Sequence, residues 1–238
     1  MLNTTCIANL SKFVVSHLKN PFSTSGRMAD SVDLNTYDTS QVKLMKEECI
    51  EVDSDDNVIG PRSKLDCHLL SNGPPLHRAF SLFLFNSKNE LLMQKRANAK
   101  ITFPGYYTNT CCSHPLHNAT ELEEKESYGV RHAAQRRLKD ELGVPINQLP
   151  ICDISFITRI HYKASCSDKW GEHEIDHVLF ARKDVDLNVN PNEVSEVRYV
   201  SKDGMKDFTK KCENAGVPLT PWFKLILHSH LFKWWDNI

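Results

Sequence analysis

Arg78-Ala79-Phe80-Ser81-Leu82-Phe83-Leu84-Phe85, then Asn86-Ser87-Lys88-Asn89, then Glu90-Leu91-Leu92-Met93-Gln94-Lys95-Arg96 is the stretch on which the fold turns. The first run is apolar at nearly every position, the mark of a strand covered on both faces, and the polar quartet behind it is turn chemistry. The pattern predicts a hairpin whose first strand lies in the core. Upstream, Glu47 to Val52 is a short β-type run closed by Asp53-Ser54-Asp55-Asp56-Asn57 and followed by Val58-Ile59-Gly60, a second hairpin.

Downstream, Ala97 to Leu116 is rich in Pro, Gly, Asn, Thr, Cys and His and predicts a loop, too polar and irregular for a core element. From Ser127 to Leu142 the apolar residues Val130, Ala133, Ala134, Leu138 and Leu142 keep helical spacing, and Gly143 supplies the stop. Ile151 to Ala164 and Glu174 to Arg182 predict two longer strands joined by residues 165–171, with another strand at Val197 to Val200. Thr220-Pro221 is an N-cap and N1 pair opening a helix through Trp222, Leu225, Ile226, Leu231 and Trp234. Strands and helices in this mixed order, with no fixed-period repeat, predict one α+β domain.

The composition sets the limits. With 238 residues, 40% hydrophobic and 25% charged, the chain is long enough for a proper core and is neither disordered nor collagenous. No apolar run approaches the roughly 20 residues of a membrane span. A net charge of -1 leaves no basic footprint for nucleic acid. The 8 cysteines form no CxxC pair, so reduced thiols and a reducing compartment are expected. Residues 1–29 hold Lys12, Lys19 and Arg27 but no acid, and residues 1–35 are set apart as a targeting segment or an untidy tail. The two readings are a cytoplasmic protein starting at Met28 and an organellar one, mitochondrial or plastid, with the segment in front; the C-terminus is no peroxisomal address. The folded domain is expected over 36–238.

His68, His77, His114, Glu172 and Glu174 are the side-chain types that hold a divalent metal. On an extended chain Glu172 and Glu174 point to one face, as two ligands of one ion must. Such a set suits zinc or manganese and leaves magnesium open. On spacing alone, scattered surface histidines is the plainer reading. Cys111-Cys112 sits in the polar loop beside His114, where a thiol can serve as base or nucleophile, although a free cysteine is more often a small buried hydrophobe. One of the two, not both, is the candidate. Lys64, Arg96, Lys100 and Arg137 are dispersed and alone read as solvated surface. Arg137 and Glu141 are four apart on one helix face, either a plain ion pair or a phosphate contact beside a magnesium ligand.

Seven stretches in order, Leu76-His-Arg-Ala-Phe80, Ile101-Thr-Phe-Pro-Gly105, Thr108-Asn-Thr-Cys-Cys-Ser-His-Pro115, Arg136-Arg-Leu-Lys-Asp-Glu-Leu-Gly143, Arg159-Ile-His-Tyr162, Trp170-Gly-Glu-His-Glu174 and Thr220-Pro-Trp-Phe223, together resemble the type I isopentenyl diphosphate isomerases over about residues 40–238. The resemblance implies a single-domain α+β fold of Nudix-like type, a mixed β-sheet flanked by helices, and interconversion of isopentenyl and dimethylallyl diphosphate. It implies Cys112 and Glu174 as the catalytic pair with Tyr162 beside the carboxylate, and Cys111 as a spare. His68, His77, His114, Glu172 and Glu174 match the family's metal ligands, for Zn2+, Mn2+ or Mg2+, and Glu141 its ligand for the Mg2+ that accompanies the diphosphate. Lys64, Arg96, Lys100 and Arg137 line up with the basic residues around that diphosphate, Ser113 with a backbone contact, and Trp222 with the aromatic residue over the isoprenoid tail. A monomer acting on a small isoprenoid diphosphate is the expectation, with no nucleic-acid partner.

Two rivals are weighed. A Nudix hydrolase carries the box Gx5Ex7REUxEExGU, but here Arg137 stands where the first clustered Glu belongs, and Tyr128 and Leu122 take the places of the earlier Glu and Gly. Hydrolysis is thereby disfavoured. A non-catalytic metal-clamped binding protein would more typically close its zinc with Cys and His, without two carboxylates and a nearby thiol.

Overall fold

The computed structural model describes Val14–Val15 and residues 32–237. Nearly all of the N-terminal segment set apart above lies outside the described residues. The strands are β1 (Val14–Val15), β2 (Glu48–Val52), β3 (Val58–Ser63), β4 (His77–Phe85), β5 (Glu90–Arg96), β6 (Tyr107–Thr108), β7 (Cys111–Ser113), β8 (Ile154–Ser165), β9 (Gly171–Arg182) and β10 (Val194–Ser201). The helices are α1 (Thr39–Leu44), α2 (Lys64–His68), α3 (Tyr128–Leu142), α4 (Met205–Asn214), α5 (Pro221–Ile226) and α6 (Phe232–Trp235), the last two joined by a π-helical turn. Among the described residues no helix is long and apolar enough to cross a membrane.

One mixed sheet holds all the strands, and β4 is its hub. Along one edge β4 pairs in parallel with β9 over its whole length, from His77 opposite Glu174 to Phe85 opposite Arg182. Its remaining pairings are short: β2 at His77, β7 at Phe80 to Leu82, and β5 at Phe85. The hydrophobic run that opens the sequence reading is apolar throughout because both faces are covered. Phe80, Leu82 and Leu84 pack toward α3 with Val130, Ala133, Ala134 and Leu138. Phe83 and Phe85 pack toward the C-terminal helices with Phe223, Ile226 and Trp235. Each fully buried large side chain of this kind contributes about 1.5–3 kcal/mol.

The expected hairpin of β4 and β5 exists only at its turn, where Phe85 faces Leu91. Beyond it residues 108–113 wedge between the two strands. Thr110 Oγ1 accepts from the Leu84 amide at 2.8 Å and donates to the Leu92 carbonyl at 2.7 Å, while Asn109 Nδ2 donates to the Leu82 carbonyl at 3.0 Å. The polar stretch read as a loop therefore supplies two short strands and a fully buried polar seam, which corrects that reading: polar side chains here do ladder duty for backbone that has splayed apart.

The hairpin of β2 and β3 and helix α3 stand as the sequence reads them. Gly143 closes α3 with φ +67, and a Cβ there would lie 2.2 Å from the Asn188 carbonyl oxygen, so both backbone and packing demand glycine. Thr220 occupies the N-cap of α5, but its hydroxyl caps nothing; it donates to Thr108 Oγ1 at 2.8 Å and ties the helix to β6.

Candidate active site

The hub strand and its neighbours bring the chemistry together. His77 opens β4, Glu172 and Glu174 alternate onto one face of β9, His68 ends α2 and His114 follows β7. Their five ligand atoms lie within 4.8 Å of one another, and all five residues are buried. The ring centroids of the three imidazoles are 4.8 to 5.2 Å apart.

The arrangement fits a divalent ion. Nδ1 of His68 is 2.6 Å from the Lys64 carbonyl and Nδ1 of His77 is 3.0 Å from the Pro75 carbonyl, contacts that place the proton on Nδ1 and leave Nε2 as the electron-pair donor facing the cluster. Nε2 of His77 is buried without a hydrogen-bonding partner. Burial pulls the His68 imidazole down in pKa, but the Glu172 carboxylate 2.9 Å away more than offsets this and the net direction is up. His114 goes the other way, well below its ordinary value, through burial and then the charges of His68 and His77.

Glu174 divides its two oxygens. Oε1 lies 2.8 Å from Nε2 of His114 and 3.5 Å from Nε2 of His77, while Oε2 accepts from the Tyr162 hydroxyl. Tyr162 stands directly opposite Glu174 in the antiparallel pair of β8 and β9. Burial raises the Glu174 carboxyl, His77 and its other donors outweigh that, and the group stays ionised. The Tyr162 phenol is pushed well up by burial and by Glu174.

Across the same cavity stands Cys112. The expectation that both cysteines lie in a polar loop is corrected: they are on β7, and strand alternation separates them. Cys111 points toward α3, with Sγ 3.7 Å from Glu141 Oε2. Cys112 points into the cavity, its Sγ 3.2 Å from both Thr108 Oγ1 and Asn109 Oδ1 and 3.0 Å from Nε1 of Trp222. Burial pushes the Cys112 thiol up to about 12, against partial relief from Thr108, so it is a thiol and not a thiolate at neutral pH.

Lys64, Arg96, Lys100, Ser113 and Trp222 also line this cavity, so the cations are not solvated surface. Arg96 is held by the Thr102 carbonyl at 2.7 Å and the Phe103 carbonyl at 3.1 Å, with its guanidinium 5.9 Å from the Trp222 ring centroid. Arg137 and Glu141 sit behind the wall, joined at 2.6 Å. The ion-pair reading of these two is what the geometry shows, and Lys100 Nζ on the wall reaches the same carboxylate, 3.7 Å from Glu141 Oε1. Sequence reasoning missed Glu193, which contacts Lys100 and lies 3.3 Å from Arg137, and it missed the buried pair Ser81 and Asp176, joined at 2.8 Å. Asn190-Pro-Asn-Glu193 looks like any polar turn, and no spacing links it to the motifs.

A NUDIX domain model matches residues 75–223. The chain is 53% identical over 210 residues to Isopentenyl-diphosphate Delta-isomerase 1 of Mesocricetus auratus, covering 87% of this chain and 92% of the relative. The chain belongs to the isopentenyl-diphosphate Delta-isomerase family. A plant member, Isopentenyl-diphosphate Delta-isomerase 1, chloroplastic, of Cannabis sativa, is 47% identical over 230 residues, 94% of this chain and 80% of the relative. The fold alone is shared more widely: the crystal structure of DR0079 from Deinococcus radiodurans superposes with a TM-score of 0.52 at 17% identity, over 77% of this chain and 99% of that one. In this chain the candidate site residues come from the sheet, from α2, α3 and α5 and from the loops between them, and Arg137 interrupts the cluster of carboxylates that a hydrolase gathers on α3.

Proposed function

We infer that the protein interconverts isopentenyl diphosphate and dimethylallyl diphosphate, a step of isoprenoid biosynthesis, by adding and removing a proton through a tertiary carbocation. One observation carries the reading: a neutral thiol, Cys112, and an ionised carboxylate, Glu174 with Tyr162 on its second oxygen, face one cavity that Lys64, Arg96, Lys100 and Trp222 also line.

Moving the double bond from C3–C4 to C2–C3 needs a proton delivered at C4 and another removed at C2. The protein holds one group that has a proton to give and one with a seat for a proton, and reversal of the reaction exchanges their tasks. Tyr162 orients the Glu174 carboxylate and shares its proton. Trp222 lies against the tail and stabilises the cation by roughly 0.5–2 kcal/mol. Burial of the site keeps water from capturing that cation.

Lys64, Arg96, Lys100 and Arg137 hold the diphosphate, with Ser113 contributing its backbone, and this remote binding energy positions a tail of only five carbons. Glu141 is the protein's ligand for Mg2+ accompanying the diphosphate. His68, His77, His114, Glu172 and Glu174 hold a second divalent ion, Zn2+, Mn2+ or Mg2+, which supplies positive charge that fixes and tunes the Glu174 carboxylate. We propose that the chain acts as a monomer. Two localisations are proposed as alternatives, an organelle if the segment before Met28 is a targeting segment and the cytoplasm if the chain begins at Met28; fluorescent fusions of the two forms decide between them.

NMR of isopentenyl diphosphate in deuterated buffer, with magnesium and then with chelator, tests the activity. Deuterium appearing in dimethylallyl diphosphate and lost on chelation is the expected result. Release of phosphate or pyrophosphate without isomerised product would place the protein among the hydrolases.

A further inference from the structure

Glu193 is a buried carboxylate on both Lys100 and Arg137 that has no task in the proposed reaction. It is 4% exposed and lies on the turn entering β10, held by a 3.0 Å bond from the Ala97 amide to its carbonyl. Its Oε2 accepts from Lys100 Nζ and is 3.3 Å from Arg137 Nη2, and its Oε1 accepts from Gln41 Nε2 at 3.3 Å. Lys100 and Arg137 reach Glu141 as well, at 3.7 and 2.6 Å. Two cations and two carboxylates thus alternate in a closed, charge-balanced quartet. Nε of Arg137 is buried in it without a partner.

We propose that Glu193 is a built-in counter-anion that occupies the seat of the diphosphate on Lys100 and Arg137, and that it makes binding selective for a diphosphate accompanied by magnesium. The proposal rests on the reading of Lys100 and Arg137 as diphosphate ligands. A bare diphosphate entering the quartet must displace Glu193 from both cations and then lie against two buried carboxylates. The same diphosphate arriving with Mg2+ brings positive charge that gives those carboxylates a new counter-ion. Glu193 therefore penalises the bare form more than the magnesium form, because like charges brought together at a desolvated site repel.

Calorimetric titration of inorganic pyrophosphate into the full chain, carrying its divalent ion at the histidine site, measures this with magnesium omitted and with magnesium saturating. Glu193→Gln should bind pyrophosphate about tenfold or more tighter than the parent chain without magnesium, and within about threefold of it with magnesium. Glu193→Asp, which keeps the charge but draws it back by one methylene, should give a smaller tightening in the same direction and serves if the Gln variant does not fold. Unchanged or weaker binding by both variants without magnesium would overturn the proposal and leave Glu193 a structural tie. Failure of the parent chain to bind pyrophosphate even with magnesium would instead remove the diphosphate reading itself.

Discussion

The indole Nε1 of Trp222 lies 3.0 Å from Sγ of Cys112, a residue 110 positions earlier in the chain. The bond presents the N–H to the sulfur and leaves the thiol proton free to point toward Asn109 or into the cavity. Placing an aromatic wall and a proton donor in contact is what a reaction through a carbocation needs, since one group stabilises the charge that the other creates or quenches.

Cys112→Ala should abolish turnover of isopentenyl diphosphate while leaving the thermal midpoint nearly unchanged. Cys111→Ala should keep most of the activity, because that thiol faces Glu141 and the helix. Equal activity in the two variants, followed by NMR, would refute the assignment.

Tyr162→Phe removes the donor to Oε2 of Glu174 without changing the shape of the wall. We expect kcat to fall by about 100-fold, with KM moving by less than about threefold, as for loss of a group assisting proton transfer. A change confined to KM would make Tyr162 a binding residue only.

His114→Ala takes one imidazole from the five-residue group. Metal analysis of the purified chain should show its divalent ion weakened or lost, and activity should fall with it. Adding back the ion should raise the thermal midpoint of the parent chain and not that of the variant, since binding to the native state alone stabilises it.

Asp56, at the tip of the β2–β3 hairpin, accepts from Arg78 at 2.9 Å, Arg159 at 2.8 Å and His177 at 2.7 Å. Burial raises its carboxyl, but the bond and charge of His177 and the two arginines win and lower it to about 2. A depressed carboxylate stabilises the fold above its unfolded value, here 3.8, and loses that contribution as pH falls toward 2. The amount is on the order of 2 kcal/mol. Urea midpoints of the parent chain and Asp56→Asn should differ at pH 7 and converge between pH 4 and pH 2.

Arg137→Glu would restore the carboxylate of a hydrolase box, but the quartet around it dictates the outcome. Glu141 and Glu193 would lose a shared cation and gain a third buried negative charge. We expect destabilisation of about 3–5 kcal/mol, read by urea denaturation, and no hydrolase activity.

Much of this was legible in the sequence where one physical signal dominates. Helix α3 shows because its apolar residues keep one period and Gly143 ends it. The metal cluster shows because His and Glu are few and the motifs around them are specific, although periodicity alone could not have told it from surface histidines. What stayed hidden depends on long-range pairing. Thr108, Asn109 and Thr110 look like loop residues and are fully buried: the side chains of Asn109 and Thr110 bond to backbone that β4 and β5 have left unpaired, and the Thr108 hydroxyl bonds to Asn109, Cys112 and Thr220. Glu193 shows no local pattern, because its partners Lys100 and Arg137 arrive from separate parts of the chain.

The position of β4 between β7 and β9 also sets what the gene can change. Cys112 hangs from one neighbour of β4, opposite Ser81, and Glu174 from the other, opposite His77. Their separation is set by the sheet, roughly 10 Å across two pairings and roughly 13 Å along β4 from His77 to Ser81, so insertions or deletions in the connections at 97–106 and 183–193 leave the acid and base where they are. A slip of β7 by a single residue is a different event. It would turn Cys111 into the cavity and Cys112 toward α3, exchanging the working thiol for the idle one with no change in composition.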